Sequence, residues 1–249
     1  MKYNVLRKLK IILTSALLFV ILLLSIIIYS YKAPYWFAGK YSKKISPFIV
    51  YSNRPISDTA IKYFKNLKKK KIFEENFSYK IFLTDNKKNY SRITPRFYDS
   101  FAISKEISGN IIIAPSNLIK DEVRRNGKRN NIRKLSSVIL HECTHRYLKK
   151  KYGFLKMIRV KTWKEEGYCE YIAQGSSFDI SKGLKLFLQN KRDKSQSFDY
   201  FKYRLYVQYL IDYKKMKFDN ILNTNFKITE LESEIRKNIK NGSYIPFLN

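Results

Sequence analysis

"VILHECTHRYL", residues 138–148, holds the only two histidines of a 249-residue chain. His141 and His145 stand four positions apart, and Glu142 directly follows the first. On a helix, positions i and i+4 project from one face a turn apart, close enough for two imidazoles to share a metal ion. Glu142 then lies about 100° round from His141 and one turn before His145, so it flanks the ion without having to ligate it. That is where a carboxylate takes a proton from metal-activated water. The pattern also arises by chance on amphipathic helices, but here the whole histidine supply falls into it.

Working outward, the next requirement is a third ligand, because a catalytic zinc takes three protein ligands and keeps a position open. "TWKEEGYCEY", residues 162–171, is a helical stretch that carries Glu165, Glu166 and Glu170. Glu166 and Glu170 are one turn apart, so one can bind metal while the other accepts a hydrogen bond from the second N–H of a ligand histidine. Glu165 competes for the third-ligand place. A cluster of glutamates is ordinarily a solvated helix face. In a chain with 50 Lys+Arg against 20 Asp+Glu, however, glutamate is scarce.

"HECTH" followed after seventeen residues by "WKEEGYCEY" resembles the gluzincin metallopeptidases, in whose aminopeptidase and peptidase-MA-like branches an H-E-x-x-H helix precedes a W-x-x-E-G-x-A-x-Y helix. Trp163, Glu166, Gly167 and Tyr171 match the second motif, and Cys169 replaces its alanine. The resemblance covers about residues 109–213. It implies that His141, His145 and Glu166 bind one Zn2+, that Glu142 is the general base, and that Glu170 supports a ligand histidine. The glycine after Glu166 favours it over Glu165. By the same resemblance, Tyr200 begins the helix that supplies an oxyanion donor, with Tyr203 the alternative, standing where the family often has glycine. "SGNIIIAPSN", residues 108–117, resembles the edge strand that lines the cleft and pairs with an extended peptide. The G-x-M-E-N segment that holds a substrate's amino terminus in aminopeptidases is absent, which favours an endopeptidase.

The amino-terminal third sets the location. Ile11 to Tyr29 is nineteen residues without a charge, long enough as a helix to span the ~30 Å core of a bilayer. Lys2, Arg7, Lys8 and Lys10 precede it and no A-x-A-like cleavage site follows, so it reads as a signal anchor. The basic end would stay in the cytoplasm, making a single-pass protein of the cell membrane with an extracytoplasmic catalytic domain. The formal net charge of +30 makes an anionic envelope surface a natural neighbour, and no specific nucleic-acid partner is expected. Cys143 and Cys169 read as small buried apolar residues.

Three regions follow: residues 1–30, the basic end and anchor; 31–47, a linker punctuated by Pro34, Gly39 and Pro47; and 48–249, the metallopeptidase domain. Within the last, strands are expected at 48–52, in "FSYKIFLTD" (77–85), in "SFAIS" (100–104) and in "GNIIIAP" (109–115). A helix begins near Asp58, its expected N-cap, and the "KKKK" of 68–71 reads as its end. Helices are expected at 130–152, 161–174, 181–189, 197–213 and 229–239. The fold class is therefore α+β and zincin-like: a mixed-sheet subdomain over about 48–115, then a helical subdomain over about 130–249, behind one transmembrane helix. The expected activity is zinc-dependent hydrolysis of a peptide or protein substrate. The competing reading is a non-catalytic, membrane-tethered basic protein that binds anionic lipid or envelope polymer and carries a structural zinc.

Overall fold

The computed structural model describes residues 2–68, 77–106, 108–125, 131–176 and 178–247. Residues 69–71 of the lysine run lie outside them. The chain is mixed α+β. It opens with α1, Lys2–Ala38, whose stretch Lys10–Ala38 is long and apolar enough to cross a membrane, with a mean hydropathy of 3.1 in its most apolar window.

The segment expected as a linker instead continues α1 to Ala38 and then forms β1, Tyr41–Ile45. Pro34 sits inside the helix and has no N–H to give the carbonyl of Ser30, one turn back. Lys105 Nζ lies 3.3 Å from that carbonyl and takes the vacant acceptor, so the domain itself completes the helix. Farther on, Tyr35 packs edge-on against Phe82 and Tyr51, and Asn53 Nδ2 donates to the Phe37 carbonyl at 2.5 Å.

Five strands form the main sheet in the order β1-β2-β3-β5-β4, with β2 Phe48–Ser52, β3 Tyr79–Leu83, β4 Ala102–Ser104 and β5 Ile111–Ile113. β2, β3 and β5 run parallel, and the two outer strands are antiparallel to their neighbours. The β-branched run Ile111–Ile113 is buried on both faces, as a central strand requires. The resemblance implies an edge strand here, with an ordinary strand of the sheet as the alternative, and the segment is the ordinary strand. The edge on this side is β4, which pairs with β5 through Ala102↔Ile113 and Ser104↔Ile111.

Helix α2, Asp58–Leu67, buries Ala60, Phe64 and Leu67; its cap is Ser57, whose Oγ accepts from Ala60 N, and Asp58 is the first helical residue. Helix α3 covers Lys87–Ile93, and a short 3-10 turn, Pro95–Phe97, follows it.

A second sheet, missed by the sequence reading, joins β6 Ser116–Asn117, β7 Glu122–Arg124 and β8 Ile132–Lys134. It delivers the chain to α4, Leu135–Tyr152, which therefore starts later than the expected 130. Asp121 sits at the head of α4: its carboxylate accepts from Ser136 N and Ser136 Oγ at 2.7 Å each and from Tyr63 OH at 2.5 Å. A carboxylate there satisfies an orphan N–H and faces the positive end of the helix.

Beyond α4 come α5 Phe154–Arg159, α6 Thr162–Ala173, α7 Ile180–Leu188, α8 Gln196–Gln208 with a π-helical end at Tyr209–Tyr213, α9 Phe218–Asn223 and α10 Ile228–Lys240. Among the described residues there are two hydrophobic cores, and α4 bridges them: Val138, Ile139, Leu140 and Cys143 join the sheet core, and Leu148 joins the helical one.

Candidate metal centre

Helix α6 is held from behind. Trp163 packs edge-on against Tyr206 of α8, and Tyr171 OH donates to Asp212 at 2.7 Å. Between them, Gly167 lets the two helices touch: a Cβ there would fall 2.4 Å from the Tyr203 carbonyl oxygen, so only glycine fits. Three residues of the sequence motif thus clamp α6 to α8. Helical geometry then turns Glu165, Glu166, Cys169 and Glu170 toward α4.

On α4, His141 Nε2 and His145 Nε2 are 3.2 Å apart. Glu166 Oε2 lies 3.2 Å from the first and 3.5 Å from the second, buried and with no donor aligned on it. The point equidistant from these three atoms is about 1.9 Å from each, close to the ~2.0–2.2 Å of metal bonds to imidazole and carboxylate. A buried carboxylate oxygen without a hydrogen bond, opposed to two imidazole nitrogens, is chemically incomplete without a cation. The donor set therefore fits a metal ion.

The other ring nitrogens each face a further carboxylate, in a hydrogen bond at His145 and out of line for one at His141. Glu165 Oε1 is 2.7 Å from His145 Nδ1, and Glu170 Oε1 is 3.1 Å from His141 Nδ1. Glu170 is in turn held by Arg133, whose Nη2 reaches both carboxylate oxygens at 3.2 Å. The structure thus brings all three glutamates of the helix to the histidines and sorts them: Glu166 toward the shared Nε2 space, Glu165 and Glu170 behind the rings.

Charge at the centre follows from this arrangement. Burial opposes protonation of His141, but Glu166 and Glu170 outweigh it and push the imidazole up to about 9. His145 is raised well above its ordinary value against the same burial, by Cys169, Glu166 and Glu165. Glu166, despite burial, is held well below the usual carboxylate range by the two histidines. Without a metal, a proton supplies the positive charge that the carboxylates demand.

Cys169, expected only as a packing residue, belongs to the centre. His141, His145 and Cys169 form a cluster whose ligand atoms lie within 4.8 Å of one another and could hold a metal ion. Burial pushes its thiol up to about 12. The signal was available in the sequence, since Cys169 is three residues after Glu166 on the same helix. Cys143 points into the sheet core, and neither cysteine is in a disulfide.

Glu142 is half-buried and, among the described residues, makes no hydrogen bond or ion pair, so its carboxylate is free to act on a ligand. The Tyr200 ring stacks on that of His141 with centroids 6.5 Å apart, and its OH accepts from Gln196 Nε2 at 3.1 Å. Burial first, then Glu166, raises the Tyr200 phenol, which leaves it a proton donor at neutral pH. Tyr203 packs against Tyr200 at 6.2 Å, with its carbonyl against Gly167. No protein-family model matches the chain, and no curated protein sequence does.

Proposed function

We propose that this chain is a membrane-anchored, zinc-dependent metallopeptidase of zincin-like fold that cleaves within peptide or protein chains. The observation that carries this reading is the triangle of His141 Nε2, His145 Nε2 and Glu166 Oε2, with sides of 3.2, 3.5 and 3.2 Å. These three residues would hold zinc, and a zinc ion so held supplies Lewis acidity toward water and a scissile carbonyl. Glu142, next to a ligand and unengaged, takes a proton from the attacking water and returns it to the leaving amine. Tyr200, a neutral phenol beside His141, donates to the oxyanion that develops on the carbonyl. Glu165 and Glu170 fix the tautomers and ring planes of the histidines through Nδ1. The outer side of β4, which pairs with no strand among the described residues, offers an edge on which an extended substrate can add as a strand. The basic residues before the span support an extracytoplasmic domain.

Cys169 favours a second reading. A sulfur ligand beside two histidines would close the site and make the zinc structural, in a tethered protein that binds an anionic surface. X-ray absorption at the zinc edge separates the two: the first reading expects only nitrogen and oxygen neighbours near ~2.0–2.1 Å, the second a sulfur near ~2.3 Å. The activity itself is tested by incubating the full chain, purified in detergent, with a mixed peptide library read by mass spectrometry. Cleavage should stop on chelation and return with zinc; cleavage that ignores chelation contradicts the proposal.

A further inference from the structure

The base of the anchor is fused to the domain. Tyr29, the last residue of the uncharged run, donates its OH to the carbonyl of Arg92 at 2.9 Å. One residue later, Lys105 Nζ sits on the Ser30 carbonyl. There is no spacer between span and domain, so the plane in which the apolar run ends passes through the end of α3 and the side chain of Lys105.

What the domain presents there is not an ordinary surface. Arg92 and Arg96 are exposed and, among the described residues, neither pairs with a carboxylate; they lie over Phe37 and Phe97 at 5.3 and 5.9 Å. Phe97 and Tyr98 stand out of the 3-10 turn, 51% and 57% exposed. Trp36, 60% exposed, packs edge-on against Tyr29. Aromatic side chains mixed with unpaired cations suit the boundary between headgroups and acyl chains, where rings are half-solvated and phosphates supply the counter-charge.

We propose that the turn Arg92–Tyr98, together with Trp36 and Lys105, is a second membrane contact: Phe97 and Tyr98 sit at the headgroup–acyl boundary, and Arg92 and Arg96 engage phosphates of anionic lipid. The contact fixes the tilt of anchor and domain together relative to the bilayer. This rests on α1 crossing a bilayer and does not depend on peptidase activity.

The test is nitroxide depth measurement on the full chain in nanodiscs of phosphatidylcholine and phosphatidylglycerol. Spin labels are placed at Leu22→Cys, Phe97→Cys and Glu230→Cys; both native cysteines are buried, which directs labelling to the new site. Leu22 lies in the apolar run and Glu230 on exposed α10, so they mark the bilayer interior and water. The Phe97 label should be shielded from a soluble nickel complex several-fold relative to the Glu230 label, at a depth shallower than Leu22. Nickel access at Phe97 equal to that at Glu230, with Leu22 shielded, overturns the contact and leaves the anchor standing. An accessible Leu22 removes the spanning helix and the contact with it. Replacing Arg92 and Arg96 by Gln, or omitting phosphatidylglycerol, should each reduce the shielding at Phe97. No change in either overturns the role of anionic phosphate.

Discussion

His145 Nδ1 and Glu165 Oε1 are 2.7 Å apart, while the next carboxylate along, Glu166, points its Oε2 at the opposite side of the same ring, 3.5 Å from Nε2. Adjacent glutamates on one helix thus address the two nitrogens of one histidine. The division has measurable consequences, because a ligand and a residue that orients a ligand fail differently.

Glu165→Gln should weaken zinc affinity about 10–100-fold yet still reach one metal per chain at saturation. Glu166→Gln should lose stoichiometric binding, as should His145→Ala. Competition titration against a chromogenic chelator reads both, and a reversed order of severity would make Glu165 the ligand.

Tyr200→Phe keeps the ring against His141 and removes only the donor. The expected loss is about 10²–10³ in kcat with zinc content unchanged, while Tyr203→Phe should leave kcat near the wild-type value. Steady-state kinetics on a cleaved library peptide decides between the two tyrosines.

Metal uptake should depend on pH in a definite direction. With no metal, His141 is raised from 6.5 to about 9 in the folded chain. Its protonated form therefore contributes stability that is full below about pH 6.5 and is lost as pH rises toward 9. A metal must displace that proton, so zinc should raise the melting temperature more at pH 8.5 than at pH 6, with protons released on binding. Calorimetry in buffers of different ionisation enthalpy counts them; zinc binding with no proton release contradicts the charge state described above.

Gly167→Ala puts a methyl group 2.4 Å from the backbone oxygen of Tyr203, and a carbonyl in a helix cannot move aside as a flexible side chain would. The separation of α6 from α8 should cost about 1–3 kcal/mol, seen as a lower melting temperature in detergent. Asp121→Ala, at the head of α4, should cost about 1–2 kcal/mol through the lost cap, with faster amide exchange at Ser136.

The centre was legible in the sequence because its chemistry is written at helical spacing: His141, Glu142 and His145 on one helix, Glu166 and Glu170 on another. The long elements were legible for the same reason, β2 as a short apolar run and β3 through the alternation of Phe77, Tyr79, Ile81 and Leu83. β6, β7 and β8 were not, because strands of two or three residues are too short to show a period. The carboxyl-terminal end of α1 was misread because Pro34 and a run of aromatics signal a linker. Only Lys105, seventy-five residues away, shows how the broken ladder at Ser30 is completed. Which strand lies at the edge is likewise a fact of pairing: Ile111–Ile113 is the most strand-like segment of the chain, and that is why it lies inside the sheet, with Ala102–Ser104 outside it.

The central claim is that a metal and Glu142 act together on a bound peptide. Its most direct test is to measure zinc per chain and library cleavage side by side for the full-length wild type and Glu142→Gln. The account predicts one zinc per chain in both and cleavage by the wild type alone. Equal cleavage by the two proteins, or a wild type that takes up no zinc, would contradict it.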